Sequence, residues 1–422
     1  MTKAKWKTKK PEDVCEVMNG GTPKTGTQTF ITTQRKKLGE LFSFKNGRAF
    51  KKEEWSTTGL PIIRIQNLNN LDAPFNYFNG EYENDVLVES GDLLFSWSGT
   101  VGTSFGSHLW DREPGVLNQH IYKITFKSDV IKSYAFYALR YITAEIEKSV
   151  SGAVGLTHIT KEKLIEFTIP VPPLPEQQRI VAILDKAFET IAATKANAEK
   201  NLKNARELFD SYLNQVFTQR GEEWTENCLG EMATFRNGIN FTKASKGDPI
   251  KILGVKDFQN DYWAPIDDLD SIIPDGEVPD ADTIQQNDLV FVRSNGNPAL
   301  IGRCLLIGET PERTTHSGFT IKARLNTSDV VPTFLCHFLK SSLVRQEMID
   351  GGNGVNIKSL NQGTLSRLRI PFPSRSTQTE IVGQIEALQE QTQHLESLYQ
   401  QKLTALEELK KSILHQAFSG EL

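Results

Sequence analysis

Clusters of hydrogen-bonding side chains stand at the ends of short apolar runs in two parts of this chain. Runs rich in Ile, Leu, Val and Phe that end in Gly, Ser or Asn are typical of strands that lead into loops. Side chains placed there can recognise the polar edges of a ligand, because most of them offer donors or acceptors. In the first part these residues are Arg64, Gln66, Asn67, Trp97, Ser98, Asn118, Gln119 and His120. In the second part they are Lys256, Arg293, Ser294, Asn295, Asn297 and His316.

Motifs for catalysis are absent from the sequence. A methyltransferase that acts on an amino group would carry an Asn/Asp-Pro-Pro-Tyr/Phe turn, and the nearest string, Asn-Pro-Ala-Leu at Asn297, lacks the second proline and the aromatic residue. No Gly-x-x-x-x-Gly-Lys-Ser/Thr phosphate loop occurs, so ATP hydrolysis is not expected from this chain. The four cysteines form no CxxC pair, which indicates neither a zinc site nor a disulfide framework.

The elements that must hold these loops include a long stretch that recurs after 201 residues. The first copy runs from Pro172 to Thr218, and the second follows Pro373 and ends on Gln-Ala-Phe-Ser. Apolar or small residues recur at steps of three and four in both copies, which predicts helices about 60 Å long. The repeat favours a coiled coil over two helices that pack separately on their own domains. The predicted seam is Ile180, Leu184, Ala187, Ile191, Ala198, Ala205, Leu208 and Tyr212, with Ile381, Ile385, Leu388, Thr392, Tyr399, Leu406, Leu409 and Ile413.

A second match precedes each long stretch. Leu-Gly-Glu, Phe, a basic residue, Asn-Gly and Phe occur in the same order from residue 38 and from residue 229. Weaker similarity continues through residues 61–68 and 249–258, 91–100 and 287–296, and 118–124 and 316–322. Two matches with similar long offsets, 191 and 201 residues, indicate a duplication. Residues 69–89 and 259–285 differ in length and charge, so the repeat predicts one frame that carries two sets of loops.

Composition predicts a soluble, cytoplasmic protein of about three structural units, without a membrane segment. The net charge of −4 gives no support to nucleic-acid binding, but charge is segregated along the chain. Residues 251–288 hold two basic and ten acidic residues, whereas residues 289–375 hold eleven basic and five acidic ones. A local excess is enough for a phosphate-facing surface, because salt screens exposed charges beyond roughly 10 Å.

The repeated motifs resemble those of the DNA-specificity subunits (HsdS) of type I restriction-modification systems. The resemblance rests on the Leu-Gly-Glu and Asn-Gly pattern, on Gly-Asp-Leu-Leu-Phe-Ser at residue 91, on Pro-Pro-Leu-Pro-Glu-Gln at residue 172 and on the C-terminal Phe-Ser-Gly-Glu-Leu. It covers nearly all of residues 38–422. The second copy departs from the pattern with Pro-Ser-Arg-Ser-Thr-Gln at residue 373, and residues 1–37 precede the usual start.

The resemblance implies an α+β fold with an internal pseudo-two-fold repeat. Two β-rich mixed target-recognition domains, residues 38–171 and 221–373, would be joined by two long helical regions, residues 172–220 and 374–422, in an antiparallel coiled coil. Residues 1–37, with nine Lys or Arg and three acids, are expected to form a basic N-terminal arm.

In that family the subunit is not itself an enzyme. The resemblance implies that this chain reads a bipartite site on double-stranded DNA and docks two modification (methyltransferase) subunits, which restriction/translocase subunits can join. It also implies no cofactor in this chain, with S-adenosylmethionine, ATP and Mg in partner subunits. Two alternatives stay open on the residues alone: a protein-binding scaffold with two duplicated domains, and an enzyme with an unrecognised hydrolytic site.

Under this resemblance the loop residues of both parts are candidate base contacts, because Arg and Lys suit guanine while Asn and Gln suit adenine. Lys45 and Arg236, beside the matched Asn-Gly turns, are candidate phosphate contacts that fix position. Any single one of these residues can instead be a solvated loop residue or stabilise a turn. The set is favoured because several members stand at equivalent places in both repeats.

Overall fold

The computed structural model describes residues 34–70, 72–100, 102–150, 157–242, 245–259, 262–351 and 359–422. The chain divides into two units, Met1–Ala192 with Glu407–Leu422 (unit 1) and Ala193–Leu406 (unit 2). Most of the expected basic arm, residues 1–33, lies outside the described residues. Each unit contains a part of both long helices, so the domain boundaries inferred from the sequence stay a prediction.

Unit 1 consists mainly of short strands and short helices, and it contains one amphipathic helix of 19 residues. Its strands are β1 (Gln34–Lys37), β2 (Phe42–Asn46), β3 (Leu60–Ile63), β4 (Tyr77–Phe78), β5 (Leu87–Val88), β6 (Leu93–Ser96), β7 (Ser98–Gly99), β8 (Gly106–Leu109), β9 (Gly115–Leu117), β10 (Ile121–Phe126), β11 (Thr157–His158) and β12 (Thr168–Val171). Its helices are α1 (Leu38–Leu41), α2 (Ile65–Asn69), α3 (Lys132–Val150), α4 (Lys161–Leu164) and the first part of α5 (Leu174–Thr218).

Two four-stranded sheets form the frame of unit 1, in the orders β2-β10-β6-β8 and β4-β3-β9-β5. β10 lies antiparallel between β2 and β6, whereas β3 runs parallel to β9. Phe95 on β6 and Tyr134 and Leu139 on α3 belong to the main core, which covers one face of the first sheet. The β3/β9 sheet packs around a smaller core that contains Ile63 and Leu117.

Unit 2 contains the second set of elements. Its strands are β13 (Thr225–Cys228), β14 (Ala233–Asn237), β15 (Ile250–Leu253), β16 (Ser271–Ile272), β17 (Leu289–Val292), β18 (Cys304–Leu306), β19 (Thr314–His316), β20 (Thr320–Leu325) and β21 (Arg369–Phe372). Its helices are α6 (Leu229–Met232), α7 (Pro332–Lys340), α8 (Ser342–Asp350), α9 (Gln362–Arg367) and the larger part of α10 (Arg375–Ser419).

The strand order of unit 2 repeats that of unit 1. The sheet β14-β20-β17-β18 corresponds to β2-β10-β6-β8, and β15 runs parallel to β19 as β3 does to β9. Ser96 lies beside Ile121 as Val292 lies beside Thr320, which fixes the residue equivalences between the two units. The predicted α+β duplication is therefore confirmed.

The matched Asn-Gly turns have a steric reason. A Cβ atom on Gly47 would lie 2.2 Å from the carbonyl oxygen of Leu117, and one on Gly238 would lie 2.2 Å from that of His316. Because real atoms do not approach so closely, only glycine fits at either place. The turn after β2 or β14 is thereby held against the loop that precedes β10 or β20.

Both predicted long helices are present. α5 and α10 are each 45 residues long, and their bounds differ by 201 residues at both ends. At about 1.5 Å per residue each is about 67 Å long. Within the described part of the chain no helix combines the length and the apolar character needed to cross a bilayer.

The end of one long helix packs into each unit beside the start of the other. In unit 1, Phe418 near the end of α10 stacks on Tyr141 with ring centroids 5.3 Å apart. In unit 2, Phe217 near the end of α5 meets Phe334 edge-on at 5.4 Å. Residues from the start of α5 lie in the first core and residues from the start of α10 in the second. Because Phe217 and Phe418 are equivalent, the packing is duplicated with the sequence.

A buried glutamine anchors the first turn of each long helix. The Gln177 side chain donates to the Pro172 carbonyl at 2.8 Å and accepts from the Ile131 N–H at 2.9 Å. Gln378 makes the same two bonds to equivalent backbone groups, at 2.9 and 2.7 Å. This role explains why glutamine is shared by the two otherwise different runs, Pro-Pro-Leu-Pro-Glu-Gln and Pro-Ser-Arg-Ser-Thr-Gln.

In each unit α5 and α10 lie side by side. Within a unit, contact positions that rise along α5 fall along α10, so the two helices are antiparallel there. The predicted antiparallel coiled coil is confirmed, and separate packing of the two helices is excluded. The contacts are Arg179–Leu422 and Phe188–Lys410 in unit 1, and Arg206–Glu396 and Tyr212–Gln384 in unit 2.

Two positions of the predicted seam are wrong. Leu184, Ala198 and Thr392 are buried and the other seam residues are buried or half-buried, but Leu208 and Leu409 are 53% and 46% exposed. A straight α-helix drifts by about 20° per heptad relative to a 3.5-residue repeat, so positions late in a run leave the buried face. Leu208 and Leu409 are 201 residues apart and therefore occupy equivalent positions, so the same leucine is exposed in both copies.

Two buried histidines, His316 and His337, and the half-buried His108 make stability sensitive to acid. Burial lowers the pKa of His108 in unit 1 to about 4, and those of His316 and His337 in unit 2 to about 3 and about 4. An unfolded histidine has a pKa near 6.5, so the unfolded chain binds more protons between that pH and the folded pKa. The stability that these residues contribute is complete above about pH 6.5 and is lost as pH falls towards 4.

We therefore expect the melting temperature to fall between pH 7 and pH 5. His337→Phe should flatten this dependence, because a phenyl ring takes up no proton when the chain unfolds. His394→Phe is the control, since His394 is exposed on α10. Circular dichroism melts across the pH range measure the effect, and equal pH dependence in the two variants would contradict it.

Candidate nucleic-acid interface

Several predicted loop residues of unit 1 meet at one edge of the frame. β3 and β9 are parallel neighbours, so Arg64 after β3 and Asn118 after β9 leave the sheet at the same end. β6 ends beside the start of β10, and the Trp97 N–H donates to the His120 carbonyl at 3.2 Å. The fold thus brings together side chains from three separate stretches of sequence.

Rings pack against one another at this edge. Trp97 stacks on Tyr122 with centroids 5.5 Å apart, and it lies 5.7 Å from the His120 ring and 6.2 Å from the His158 ring. Burial, and then the positive charge of Arg64, lowers the pKa of His120. Its imidazole is therefore neutral at pH 7 and can both donate and accept a hydrogen bond.

The other polar residues at this edge are accessible. Gln66 and Gln119 are exposed, while Ser98 and Asn118 are half-buried. The Gln119 Nε2 atom lies 3.2 Å from the His120 Nε2 atom, which orders both side chains. Amide, hydroxyl and imidazole groups in this arrangement can pair with the edges of bases.

Asn67 does not belong to this surface. It is 1% exposed, and its Oδ1 accepts from the Arg64 N–H at 3.1 Å while its Nδ2 donates to two backbone carbonyls of the following loop. In unit 2 Asp257 repeats the first bond by accepting from the Gly254 N–H at 2.7 Å. The expectation that Asn67 presents its amide at a loop tip is wrong, because the side chain shapes the turn that presents Arg64.

Arg293 occupies in unit 2 the place that Trp97 has in unit 1. Its N–H donates to the Phe319 carbonyl at 2.8 Å, as the Trp97 N–H does to the His120 carbonyl. Its own carbonyl accepts from the Leu360 N–H at 2.9 Å. A guanidinium therefore stands where the other unit carries an indole.

The loop after Arg293 carries the remaining polar candidates of unit 2. Ser294 and Asn295 are half-buried and Asn297 is exposed. The Asn295 Oδ1 accepts from the Asn297 N–H at 2.8 Å, and the Asn297 Oδ1 accepts from the Ala299 N–H at 3.0 Å. The two oxygens shape the loop, and no group among the described residues accepts from the two amide nitrogens, so these donors are available to a ligand.

His316 is fully buried, so its expected place at a loop tip is wrong. It is the last residue of β19, in the position of Leu117 on β9, and its Nδ1 lies 2.9 Å from the Thr320 Oγ1. The loop begins one residue later than the sequence match suggested. The residue equivalent to His120 is Phe319, which is 60% exposed.

Two further side chains at the edge of unit 1 were not among the sequence-based candidates. The Trp55 ring lies 5.6 Å from the Arg64 guanidinium, and Arg48 forms an ion pair with Glu54. Arg48 also bridges to Asn118 through the backbone. Its position directly after the matched Asn-Gly turn is the signal that could have identified it.

Each candidate phosphate contact is held by a carboxylate of the corresponding short helical turn, residues 84–86 in unit 1 and residues 280–282 in unit 2. The Lys45 Nζ lies 2.5 Å from Asp85, and the Arg236 Nε lies 2.7 Å from Asp282. Lys256 likewise pairs with Asp270 at 2.5 Å. These three cations are more than half exposed, so each pair contributes little to stability and its cation can exchange the carboxylate for a phosphate.

Removal of the paired carboxylate should strengthen DNA binding. We expect Asp85→Asn and Asp282→Asn each to raise affinity for duplex several-fold at low salt, because the cation no longer has to leave a carboxylate. Asp280→Asn is the matched control, since it removes the same charge from the exposed pair with Arg313 in the same turn. Fluorescence anisotropy across salt concentrations measures the affinity. Equal effects of Asp280→Asn and Asp282→Asn would rule out a phosphate contact by Arg236.

Some of the basic residues in 289–375 bind other groups of the same unit and stabilise its fold. Lys322 is buried, and its Nζ donates to the carbonyls of Ala281 and Thr283 at 2.7 and 2.5 Å. Arg324 makes two bonds to Asp288, at 2.8 and 2.7 Å. The local excess read from the sequence therefore overstates the charge that is available to a ligand.

Among the described residues no cluster of three or more His, Cys, Asp or Glu side chains could hold a metal ion. Cys304 and Cys336 are free and buried in unit 2, and Cys228 is free and half-buried. Burial raises the pKa of the Cys304 thiol, which makes it unreactive at neutral pH. Cys15 lies outside the described residues.

The duplicated frame matches a known protein family. The family model described as type I restriction modification DNA specificity domain matches residues 30–204 and again residues 221–405. The EcoBI specificity subunit of Escherichia coli is 25% identical over 417 residues, which span 91% of this chain and 85% of that protein. The EcoKI specificity subunit of Escherichia coli strain K12 is 25% identical over 412 residues, which span 89% and 86%.

Solved structures share the fold. A chain from a study of the assembly and conformational transition of the type I R-M system has a TM-score of 0.72 at 17% identity, covering 92% of this chain and 98% of that one. The HsdS subunit from Thermoanaerobacter tengcongensis has a TM-score of 0.55 at 18% identity, covering 92% and 97%. With two matched domains that together cover most of its length, the chain belongs to the type I restriction modification DNA specificity domain family.

Proposed function

We propose that this chain is a non-catalytic specificity subunit that reads a bipartite site on double-stranded DNA, one half with each unit. The observation that carries the proposal is a duplicated frame with different side chains at equivalent positions. Trp97 corresponds to Arg293, and His120 corresponds to Phe319. Because these groups suit different base edges, the two units select different sequences.

The long helices set the separation of the two half-sites. Each is about 67 Å long, and each contributes residues to both units. Lengths of this order are compatible with half-sites one or more duplex turns apart, since one turn is roughly 34 Å.

Two modification (methyltransferase) subunits dock on the helices, and restriction/translocase subunits join them. Leu208 and Leu409 support this assembly, because exposed leucines at equivalent positions offer two copies of one partner the same contact. S-adenosylmethionine, ATP and Mg are then bound by the partner subunits. The chain itself recognises the DNA sequence and sets the separation of the two half-sites.

Genome-wide mapping of methylated bases, with and without this gene, tests the proposal. The expected motif has two defined segments separated by a fixed number of unspecified bases, and it disappears with the gene. The purified complex should bind this target at least about 1,000-fold more tightly than random duplex at moderate salt. Equal binding to both would favour a protein-binding scaffold instead.

A further inference from the structure

Phe319 is an apolar ring on an otherwise polar recognition edge. It lies in the turn between β19 and β20 and is 60% exposed, although its neighbours Ser317 and Thr320 are buried. An exposed phenyl ring is unfavourable in water, so a surface that keeps one gains when a ligand covers it.

Hydrogen bonds hold the backbone of this turn in place. The Phe319 N–H donates to the Ser317 Oγ at 3.3 Å, and the Phe319 carbonyl accepts from the N–H groups of Arg293 and Ser294 at 2.8 and 3.3 Å. The Gly318 N–H donates to the Ile239 carbonyl at 2.7 Å, which ties the turn to the chain after β14. The ring is therefore presented from a rigid turn rather than from a mobile loop.

The equivalent position in unit 1 carries a hydrogen-bonding group. His120 stands there beside Trp97, with its Nδ1 buried and its Nε2 3.2 Å from the Gln119 Nε2. Phe319 offers neither a donor nor an acceptor on its side chain, so the same position in unit 2 must make a different kind of contact. The apolar group that a base pair presents in the major groove is the C5-methyl group of thymine.

We propose that Phe319 contacts the 5-methyl group of a thymine in the half-site that unit 2 reads. The inference rests on the proposed function, since it needs a specific duplex target. Arg293 and Asn295, on the neighbouring loop, would supply polar contacts to adjacent bases. Phe319 would then make the recognition at this position depend on a methyl group rather than on a hydrogen bond.

Substitution of thymine by deoxyuridine tests this contact, because only the methyl group is removed. Each thymine of the methylated motif is replaced singly in a duplex, and binding of the full chain with its co-purified partners is measured. We expect one replacement in the unit 2 half-site to weaken wild-type binding about three- to tenfold. Phe319→Ala should weaken binding to the thymine duplex to a similar extent and be insensitive to that replacement.

Two controls separate this contact from general effects. Leu343→Ala removes another exposed apolar side chain of unit 2, on α8, and should keep the wild-type response to deoxyuridine. Replacements in the half-site read by unit 1 should affect wild type and Phe319→Ala equally. The inference is overturned if that half-site has no methyl-sensitive thymine, or if Phe319→Ala stays sensitive. If the wild-type protein shows no preference for any DNA sequence, the proposed function is overturned as well.

Discussion

Exchange of residues 38–170 for those of another family member is expected to change one half of the methylated motif and to leave the other half and the spacer unchanged. This segment contains Lys45 and every candidate base contact of unit 1, and none of unit 2. It ends before α5, so both long helices keep their own sequence. The effect is large because a new half-site replaces the old one, which is measured by mapping methylated bases.

The exchange can be designed so that the chimera folds. Tyr134 and Tyr141 contact Phe418 of α10, so both tyrosines should be kept in the donor segment. The matched control exchanges residues 221–373, keeps Phe334 and Phe338 against Phe217, and should change only the other half of the motif. Simultaneous change of both halves in either chimera would contradict separate recognition.

The helices could be predicted closely from the sequence. A periodic pattern sustained over 45 residues and repeated after 201 residues leaves little choice of structure, and the bounds of α5 and α10 follow it. The residues that face the partner helix could be predicted less closely, because Leu208 and Leu409 continue the apolar pattern but lie outside the buried face.

The recognition edge was predictable in place but not residue by residue. The sequence match predicts a loop at His316 because it aligns with polar residues, yet β19 extends one residue further and buries it. A shift of one residue in a strand exchanges the inward and outward sides, which sequence similarity at this level does not fix. Because of the same shift, the sequence match does not identify Phe319 as the residue equivalent to His120.

Asn67 and the ion pairs illustrate two other limits. Asn67 corresponds to Asp257, and the Asn/Asp match at one place in both copies is a sign of a turn-stabilising bond that the sequence could have supplied. The carboxylate partners of Lys45 and Arg236 lie 40 and 46 residues further along the chain, across segments of different length. Such pairs depend on tertiary packing and leave no local pattern.

Insertion of one heptad into both long helices is expected to lengthen the spacer of the motif. Suitable insertion points lie directly after Ala198 in α5 and directly after Tyr399 in α10, which are equivalent positions 201 residues apart. The Arg206–Glu396 and Tyr212–Gln384 contacts indicate that Ala198 and Tyr399 lie nearly opposite each other in unit 2. Seven residues add about 10 Å, or at most about three base pairs of duplex. A heptad is close to two helical turns, so the seam keeps its register.

The spacer length of this double-insertion variant tests most directly whether the helices measure distance along DNA. Methylated bases are mapped in cells that carry the variant, beside cells that carry the parent chain. This role of the helices predicts the same two half-sites with a spacer longer by one to three base pairs, and loss of methylation when the heptad is inserted into α5 alone. Full methylation at the parental spacer by the double-insertion variant would contradict it.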